Sequence, residues 1–490
     1  MIVIRVGELA KHLGVHRNTV RNWVNSGKLP ARSVAGKRYL ISESDFAKLC
    51  EEFGIDRSSM KLKFVPGKPV MSREMTFPPE DLKGVGKRSQ RLLPTAQWGD
   101  VCLTCGSCAG ACPISGVDGL DPLKAVRMAI LGREEELIAS QWPWKCTLCG
   151  KCEEACPMNV EIVALIRAVR GLRDRKKVPG ALQKGVLLCL EKGNNLGIPK
   201  EDFLSLLQEM GREMREEGYA GFEVPVDAKG ANLLVTVNSK EAFAEPESMK
   251  FWWKIFYAAG ESWTVPSEYW EGLNWGLYTG DDEAMKTMVG RLVENMHRLE
   301  CKTLLLPQCG HAYYATRYGL NRWFKEDLKH FRVLSVVDLL VQYLEQERIH
   351  VEPSLPSDLT TYHDPCHYGR KSLKAFGQGY FEEPRRIVRQ CAPNFVDMVP
   401  DREGSYCCGA GGGAWATPFK EERVFHGRLK ARQIQTSGAK WVVTACQNCR
   451  DQILRSLKKE YDLDIGVKYL WELVADSLIF KNSKPSGSSP

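Results

Sequence analysis

The sequence predicts a multidomain protein of the α+β class, and three observations support that prediction. The chain has 490 residues, which is too long for one ordinary hydrophobic core. Thirteen of its 18 cysteines fall into three spaced groups. Two segments, one starting at Asn232 and the other at Asp358, each begin with a β-rich run and continue to a later strand and turn. They look like diverged copies of one α/β unit.

The composition favours a folded, soluble protein. Its hydrophobic content of 43% and charged content of 26% are typical of globular domains. The longest apolar stretches, such as Val333 to Leu344, are too short and too interrupted by charge to span a bilayer. The N-terminus lacks the apolar core of a secretory signal. We therefore expect a cytoplasmic location, where reduced cysteines serve metal binding or catalysis rather than disulfides.

Domain boundaries are predicted from shifts in composition. We assign a helix-turn-helix unit to 1–57, a linker to 58–94, a cysteine-dense helical module to 95–180, a helical connector to 181–230, a degenerate first α/β half to 231–352, a second α/β half to 353–478 and a disordered tail to 479–490. Aligning KTLLLPQCGHAYYA with KWVVTACQNCRDQI supports an internal duplication in which one copy alone keeps its cysteines.

The first 57 residues contain the pattern VGELAKHLGVHRNTVRNWVNSGKLP, which resembles the excisionase and MerR-like winged helix-turn-helix. The expected core is Leu9, Leu13, Val20 and Trp23, with the turn at Gly14 and the tip of a β-wing at Ala35 and Gly36. From Leu9 to Ser42 there are seven basic residues and no acidic one. The candidate DNA contacts are Arg17, Asn18 and Arg21 on the second helix and Lys37 and Arg38 on the wing. Docking onto another protein is the alternative use.

Two copies of one cysteine motif, C-x2-C-x2-C-x3-C-P, lie between residues 102 and 157. The first is formed by Cys102, Cys105, Cys108, Cys112 and Pro113, and the second by Cys146, Cys149, Cys152, Cys156 and Pro157. This spacing is typical of paired cubane [4Fe-4S] clusters, in which the fourth cysteine of each motif ligates the other cluster. We therefore assign Cys102, Cys105, Cys108 and Cys156 to one cluster, and Cys146, Cys149, Cys152 and Cys112 to its neighbour. Structural zinc sites also use C-x2-C, but two such runs each ending in proline favour iron–sulfur clusters.

A helix is expected between the motifs, with Asp121 as its N-cap and Pro122 in its first turn. The module is therefore predicted to be an α-helical dicluster ferredoxin. It resembles the iron–sulfur modules of succinate dehydrogenase and of the electron-transferring C-type component of heterodisulfide reductase, which implies electron transfer between a redox partner and a catalytic centre. The basic residues that follow the second motif, from Arg167 to Lys177, are expected to form a solvated helix end, with an anionic lipid or acidic partner as the alternative.

Five more cysteines form a pattern of their own, C…CCG…CxxC, near the C-terminus. They are Cys366 in HDPCHYGR, Cys407 and Cys408 in YCCGAGGG, and Cys446 and Cys449 in TACQNC. Five thiolates are too many for one ordinary cubane. The pattern resembles the catalytic B-type and fused D-type components of heterodisulfide reductase, over about residues 95–475. That resemblance implies a noncubane [4Fe-4S] cluster that binds substrate sulfur and cleaves a disulfide in two one-electron steps.

The glycines after the cysteine pair allow close backbone approach, as a crowded cluster requires. A nucleotide-binding loop is the competing interpretation of GAGGG, but the full glycine spacing and the downstream acid are missing. His363 and His367 flank Cys366 and are candidate proton donors, or else structural groups.

The first α/β half departs from the pattern of two complete motifs. Asn238 and Ser239 align with Cys366, so a second noncubane cluster is not expected. Cys309 and His311, in PQCGHAYY, align with the CxxC pair and either face the cluster site or are a buried thiol and a core imidazole. This arrangement resembles the K-type component of the sulfite-reduction-associated membrane complex. The resemblance implies a membrane cytochrome b or other redox subunit as partner, a small cysteine-bearing protein as substrate, and a place on the cytoplasmic face of the membrane.

The predicted function is that of a catalytic oxidoreductase subunit, in which electrons pass through two cubanes to the C-terminal cluster, which reduces or forms a disulfide or trisulfide. Two alternatives stay open. One is the iron–sulfur subunit of a flavin-dependent dehydrogenase of the glycolate or glycerol-3-phosphate type, which needs a separate flavoprotein because the chain lacks a flavin fingerprint. The other is a redox-responsive DNA-binding regulator.

Overall fold

The computed structural model describes residues 2–5, 9–11, 13, 15–25, 29, 31–34, 38–41, 43–52, 63–64, 101–307 and 309–480. These residues form mixed helical and sheet structure in the order small antiparallel sheet, helical module, and two parallel sheets. No helix among the described residues is both long enough and apolar enough to cross a lipid bilayer.

The N-terminal unit contains a four-stranded antiparallel sheet packed with helices. Its strands are β1 (Ile2–Arg5), β2 (Ala31–Val34), β3 (Arg38–Ile41) and β4 (Lys63–Phe64), in the order β2-β3-β1-β4. Two of its helices span Arg17–Asn25 and Glu43–Glu52. The predicted core is confirmed, because Leu9, Leu13 and Val20 are buried and Trp23 packs against them. The sheet extends further than predicted, because β4 lies in the segment assigned to the linker and pairs with β1.

Several predictions for this unit lie outside the described residues. They concern Gly14, the wing tip at Ala35 and Gly36, Lys37, and the side chains of Arg17, Arg21 and Arg38. Asn18 is exposed, and its backbone N–H donates to His16 Nδ1 at 3.3 Å. The DNA contacts therefore stay a prediction.

The cysteine-dense module is built from short helices. They span Ser107–Ala111, Pro122–Ile130, Glu134–Ala139, Trp142–Lys145, Lys151–Glu154 and Ile162–Leu172, with 3-10 turns at Val117–Gly119 and Arg175–Lys177. The predicted start of the inter-motif helix is confirmed, because the Asp121 carboxylate accepts from the backbone N–H of Lys124 at 2.8 Å. Two helices, Gly180–Lys192 and Lys200–Glu216, follow as a connector.

Each α/β half contains a parallel sheet. In the first half the strands are β5 (Leu233–Val235), β6 (Trp263–Thr264), β7 (Thr303–Leu305) and β8 (Arg332–Leu334), in the order β6-β5-β7-β8. Its helices span Ser239–Ala244, Glu247–Ala259, Trp275–Thr279, Asp282–Arg298, Gly310–Trp323 and Val336–Glu345, with a 3-10 turn at Asp327–Lys329. A short strand β9 (His350–Val351) then leads into the second half.

The second half has strands β10 (Thr360–Tyr362), β11 (Trp441–Thr444) and β12 (Gly466–Tyr469), in the order β10-β11-β12. Its helices span Ser372–Phe376, Glu382–Cys391, Lys420–His426, Arg428–Ser437, Gln447–Asp451, Lys458–Glu460 and Leu470–Asp476, with π-helical turns at His367–Lys371 and Gln452–Leu457 and 3-10 turns at Arg402–Gly404 and Ala414–Ala416. Strand β13 (Leu478–Ile479) pairs with β9, and the Phe480 ring packs edge-on against Tyr219 at 5.7 Å, so Ile479 and Phe480 of the predicted tail belong to the folded structure.

The two halves share one hydrophobic core. The ring of Trp252 in the first half stacks on Trp471 in the second, with centroids 5.6 Å apart, and Trp471 stacks in turn on Tyr469 at 4.7 Å. Large aromatic side chains bury extensive apolar surface, so this contact strongly favours a fixed arrangement of the halves.

The expectation of a solvated basic helix end after the second cysteine motif is wrong for its central residues. Arg170 is completely buried, and Arg173 is 8% exposed. Both side chains donate to backbone carbonyls inside the protein rather than facing water or a membrane.

Candidate metal centres

The two C-x2-C-x2-C loops have the same backbone conformation. Thr104 and Leu148, which precede the second cysteine of each motif, have φ of 48° and 51°, and the glycines that follow that cysteine, Gly106 and Gly150, have φ of 79° and 76°. A short helix starts directly after each glycine. These left-handed residues turn the chain sharply, which lets three sulfurs of one motif point towards one place.

The fourth cysteine of each motif lies with the other motif. One cavity of about 330 Å³ is lined by Cys102, Cys105, Cys108 and Cys156. A second cavity of about 390 Å³ is lined by Cys112, Cys146, Cys149 and Cys152. The structure therefore brings together the two sets of four that the sequence spacing predicts.

The two cavities differ in their exposure. Cys105 is exposed and Cys102 is half-buried at the first cavity, and Leu103 between them is 55% exposed. At the second cavity Cys149 and Cys152 are buried. The first cavity is thus the more accessible of the two to a partner protein.

The five C-terminal cysteines converge on a third place. Cys366, Cys408, Cys446 and Cys449 line a cavity of about 330 Å³, and the sulfurs of Cys408 and Cys449 are 3.3 Å apart. The fifth, Cys407, hydrogen-bonds with Cys149, which lowers the pKa of its thiol, but its hydrogen bonds with Cys366 and Cys408 together with burial raise that pKa overall. The third cavity is as large as the first.

The positions of Cys366 and Cys446 follow from the strand order. Parallel strands β10 and β11 lie side by side and end at the same edge of the sheet. Cys366 follows β10 as the cap of the turn His367–Lys371, and Cys446 follows β11 as the cap of the helix Gln447–Asp451. Ligand sites commonly form at this carboxyl edge of parallel sheets.

The donor set fits iron–sulfur groups. Burial raises the pKa of the Cys146 thiol to about 11, so a thiolate at such a position requires a compensating positive charge, which iron supplies. Backbone N–H groups already point at the sulfurs, since Gly409 donates to Cys407 Sγ at 3.3 Å and Leu148 donates to Cys146 Sγ at 3.4 Å. Hydrogen bonds of this kind to sulfur are among the features that tune iron–sulfur sites.

The glycines after the cysteine pair let this loop touch the second motif. A Cβ at Gly411 would lie 2.5 Å from the Thr147 carbonyl oxygen, and a Cβ at Gly412 would lie 2.8 Å from that of Cys146. Gly412 also has φ of +61°, which side chains rarely tolerate. Close contact between the second cavity and the cysteine pair of the third therefore depends on these glycines.

Arg170 also connects the second cysteine motif to the glycines after Cys407 and Cys408. Its five N–H groups donate to the carbonyl oxygens of Pro143, at 2.9 and 2.7 Å, Cys146 at 2.6 Å, Tyr278 at 2.7 Å and Gly412 at 2.8 Å. One side chain thus joins the second motif, the first α/β half and the CCG loop, which is the segment 407–413 that starts with Cys407 and Cys408.

His311 of the first half lines the third cavity, and Cys309 of the same half contacts Cys446, which also lines it. Cys309 caps the helix Gly310–Trp323, as Cys446 caps its own helix, and a hydrogen bond with Cys446 together with burial raises the pKa of the Cys309 thiol. His311 lines the cavity, stacks on Tyr278 at 4.0 Å and hydrogen-bonds through Nε2 to the Asn274 carbonyl oxygen at 3.1 Å. Burial lowers the pKa of His311 to about 3, so its imidazole is neutral.

His367 belongs to a hydrogen-bonded chain beside Cys366. The Lys371 ammonium donates to His367 Nε2 at 3.2 Å, which leaves the proton of the neutral ring on Nδ1, 3.5 Å from Cys366 Sγ. His363 is also buried, and neither of its nitrogens has a hydrogen-bond partner among the described residues. A nitrogen of His363 lies within 4.8 Å of the sulfurs of Cys408 and Cys449.

Sequence reasoning missed the residues that join the second and third cavities. Cys149 Sγ, Cys407 Sγ and a ring nitrogen of His426 all lie within 4.8 Å of one another. Thr147 Oγ1 is 3.7 Å from Cys407 Sγ and 3.4 Å from His426 Nε2. His426 stands in FHGR, at no motif spacing from the cysteines, so the sequence carries no signal for it.

Three family models match the chain. They are a helix-turn-helix domain at residues 3–53, a 4Fe-4S dicluster domain at residues 98–160 and a cysteine-rich domain of the CCG family at residues 360–453. The chain is similar to heterodisulfide reductase-like iron–sulfur subunits. It is 25% identical over 334 residues to the Hdr-like menaquinol oxidoreductase iron-sulfur subunit 2 of Archaeoglobus fulgidus, which covers 59% of this chain and 58% of that protein.

Two further relatives match shorter or weaker segments. The D-type component of the dihydromethanophenazine:CoB--CoM heterodisulfide reductase of Methanosarcina mazei is 29% identical over 199 residues, covering 40% of this chain and 46% of that protein. The EtfAB:quinone oxidoreductase of Syntrophomonas wolfei is 23% identical over 270 residues, covering 52% of this chain and 33% of that protein. The chain spans about half the length of the first two of these relatives. The relatives support an oxidoreductase role and iron–sulfur clusters, as the cysteine patterns predict.

Proposed function

We propose that the chain is an iron–sulfur oxidoreductase subunit that passes electrons from two cubane [4Fe-4S] clusters to a noncubane cluster, and there reduces, or in reverse forms, a disulfide or trisulfide bond. The single observation that supports this most is the convergence of Cys366, Cys407, Cys408, Cys446 and Cys449 beside the second ferredoxin motif. The similarity to a heterodisulfide reductase and the matches to both metal-binding modules support it as well.

In this proposal Cys102, Cys105, Cys108 and Cys156 hold the first cubane, and Cys112, Cys146, Cys149 and Cys152 hold the second. The five C-terminal cysteines hold the noncubane cluster. When bound, these groups supply one-electron transfer, and the C-terminal one supplies the two successive electrons that a sulfur–sulfur bond requires. The exposed first cavity is the entry point for a redox partner, for which a membrane cytochrome b-type subunit is the proposed candidate.

The third cavity has residues suited to a small sulfur-bearing substrate. Gly411 and Asn448 are its half-buried lining residues and therefore form its mouth, while Tyr278 and His311 form an aromatic wall. Asn448 hydrogen-bonds with Tyr278, which fixes the phenol next to the sulfurs. A cysteine side chain of a small protein is the proposed substrate, because the sulfurs lie inside the cavity rather than at the surface.

His367 is the proposed proton donor of the site. Its Nδ1–H lies 3.5 Å from Cys366 Sγ, and the Lys371 ammonium would pass a proton to Nε2 as the Nδ1 proton leaves, so that the ring stays neutral and Lys371 becomes the amine. Cys309 lies against Cys446 and is the proposed sixth thiol of the centre, facing the cluster. His363 faces Cys408 and Cys449 and is proposed to donate a hydrogen bond to the same group.

A second candidate function is electron transfer alone, without chemistry on sulfur. The similarity to an EtfAB:quinone oxidoreductase favours it, because the name of that relative describes oxidoreduction with a quinone and not with a disulfide. The first α/β half would then act only as a cover for a third relay centre, with a flavoprotein or quinone-linked partner on either side.

Electron paramagnetic resonance separates these functions. Anaerobic protein is oxidised with and without a thiol such as mercaptoethanol, and Cys407→Ser and Cys408→Ser are compared with Cys301→Ser. The buried Cys301 sulfur bonds to the Leu299 carbonyl oxygen and lines none of the three cavities. We expect a thiol-dependent signal in the unmutated protein and in Cys301→Ser, and its loss in the other two. A signal that is the same with and without the thiol supports electron transfer alone. Zinc in place of iron refutes both functions.

A further inference from the structure

One imidazole lies between the second ferredoxin motif and the CCG pair. A ring nitrogen of His426 is within 4.8 Å of both Cys149 Sγ and Cys407 Sγ, and these sulfurs are within the same distance of each other. The ring is 2% exposed. Thr147 stands beside it, with Oγ1 3.4 Å from His426 Nε2 and 3.7 Å from Cys407 Sγ. Two metal centres thus share one small group of hydrogen-bonding side chains.

The backbone around His426 holds this arrangement in place. His426 ends the helix Lys420–His426, and a Cβ at the following Gly427 would lie 2.6 Å from the Cys408 carbonyl oxygen. Arg428 then donates to the Pro113 carbonyl oxygen at 2.6 Å, directly after Cys112 of the second cavity. The helix end is therefore tied to the CCG pair on one side and to the ferredoxin module on the other.

We propose that His426 is a positioning residue that couples the two centres, by hydrogen-bonding through one ring to a ligand sulfur of each. This inference rests on the proposed function, because it assigns Cys149 to the second cubane and Cys407 to the noncubane cluster. A hydrogen bond to a ligand sulfur stabilises the reduced, more negative form of a cluster and raises its reduction potential. Since one ring serves two sulfurs, a change of charge on either centre alters the hydrogen bond available to the other.

The size of the expected shift in reduction potential follows from the strength of the hydrogen bond that each sulfur loses. The loss of one hydrogen bond to a charged group changes an equilibrium about tenfold at the lower end of its usual strength. Removing the ring is therefore expected to shift the reduction equilibrium of both centres about tenfold, equal to about 59 mV for a one-electron couple. The cubane held by Cys102, Cys105, Cys108 and Cys156 lies away from His426 and keeps its potential, which makes it an internal control.

The test is a redox titration of the anaerobic full-length protein, followed by electron paramagnetic resonance together with iron analysis. His426→Leu removes the hydrogen bond, His426→Gln restores a donor, and His297→Leu is the matched control because His297 is 47% exposed and pairs with Asp327. We expect His426→Leu to lower the potentials of the second cubane and the C-terminal group, with partial recovery in His426→Gln and no change in His297→Leu.

Unchanged potentials in His426→Leu, or a change confined to one centre, overturn the inference. If His426→Leu loses iron, the same redox titration is carried out on His426→Gln and on the isosteric Thr147→Val, because both substitutions keep the volume of the side chain. A potential shift of the C-terminal group in Thr147→Val and of both centres in His426→Gln supports the coupling, and no shift in either variant refutes it. Absence of C-terminal iron from the unmutated protein instead refutes the proposed function itself.

Discussion

Arg170→Met is predicted to loosen the junction between the ferredoxin module and the α/β halves. All five N–H groups of Arg170 donate to main-chain oxygens, and the side chain is completely buried. Methionine keeps much of the volume but leaves the carbonyl groups of Pro143, Cys146, Tyr278 and Gly412 without these donors. Since these carbonyl groups belong to three different segments of the chain, the loss falls on contacts between segments rather than within one.

The expected loss of stability follows from the hydrogen bonds and the cost of burying the charge. Five charge-assisted hydrogen bonds contribute about 1.5–3 kcal/mol each, but much of that offsets the desolvation of the guanidinium. Each buried carbonyl group left without a donor costs about 1–3 kcal/mol, so a net loss of about 3–5 kcal/mol is expected for the four carbonyl groups after the relief of guanidinium desolvation. For a cooperative unit of roughly 150–250 residues, this corresponds to a fall in Tm of roughly 6–20 °C.

The measurement is thermal unfolding of anaerobic protein, followed by circular dichroism and by the visible absorbance of the clusters. Arg212→Met is the control, because the Arg212 side chain is 61% exposed and its substitution should cost less than about 0.5 kcal/mol. Arg170→Lys should fall between the two, since an ammonium has three donors in place of five. Equal Tm values for Arg170→Met and Arg212→Met would refute the role assigned to Arg170.

Two further outcomes concern the CCG loop and a buried carboxyl group. Gly412→Ala places a Cβ 2.8 Å from the Cys146 carbonyl oxygen, so we expect less iron per chain and a Tm lower by several degrees than in Gly377→Ala, which shares a positive φ but has open space. Burial raises the pKa of Glu271 to about 7 from its usual 4.5. The folded state therefore binds this proton more tightly than the unfolded state, and the free energy of unfolding decreases by roughly 3 kcal/mol as the pH rises from 4.5 to 7. Glu271→Gln should therefore flatten the fall of Tm between pH 5 and 7 relative to the exposed control Glu268→Gln; equal slopes in both variants would contradict this.

Regular spacing made the ferredoxin module predictable, and distant contacts made its junction unpredictable. The exchange of Cys112 and Cys156 between motifs is a property of the C-x2-C-x2-C-x3-C pattern, which is local, and the structure groups the same sulfurs. Arg170 lies on a helix whose composition suggests a solvated basic face. It is buried because segments more than 100 residues away in the sequence cover it, and such contacts cannot be predicted from the local sequence.

The alignment of the two halves predicted where Cys309 falls but not what it touches. Both Cys309 and Cys446 cap the helix that follows a strand, so their equivalence could be read from the repeated strand–turn pattern. Their mutual contact depends on how the halves pack through the shared aromatic core, which the repeat itself does not specify. His426 was missed for the same reason, because its proximity to Cys149 and Cys407 arises only where three segments meet.

The degenerate first half explains why one centre, and not two, is expected in the α/β region. At the position of Cys366 it has Asn238, which caps the helix Ser239–Ala244 through its own oxygen and donates its amide N–H to Gln447 in the second half. The residue that aligns with Cys366 is thus a hydrogen-bond donor to the helix next to Cys446. Because buried amides must be paired, restoring Cys at this position would remove that support without supplying the four further sulfurs that a second cluster needs. The first half therefore contributes a wall of the third cavity, through Tyr278 and His311, while the second half contributes the five cysteines of the proposed centre.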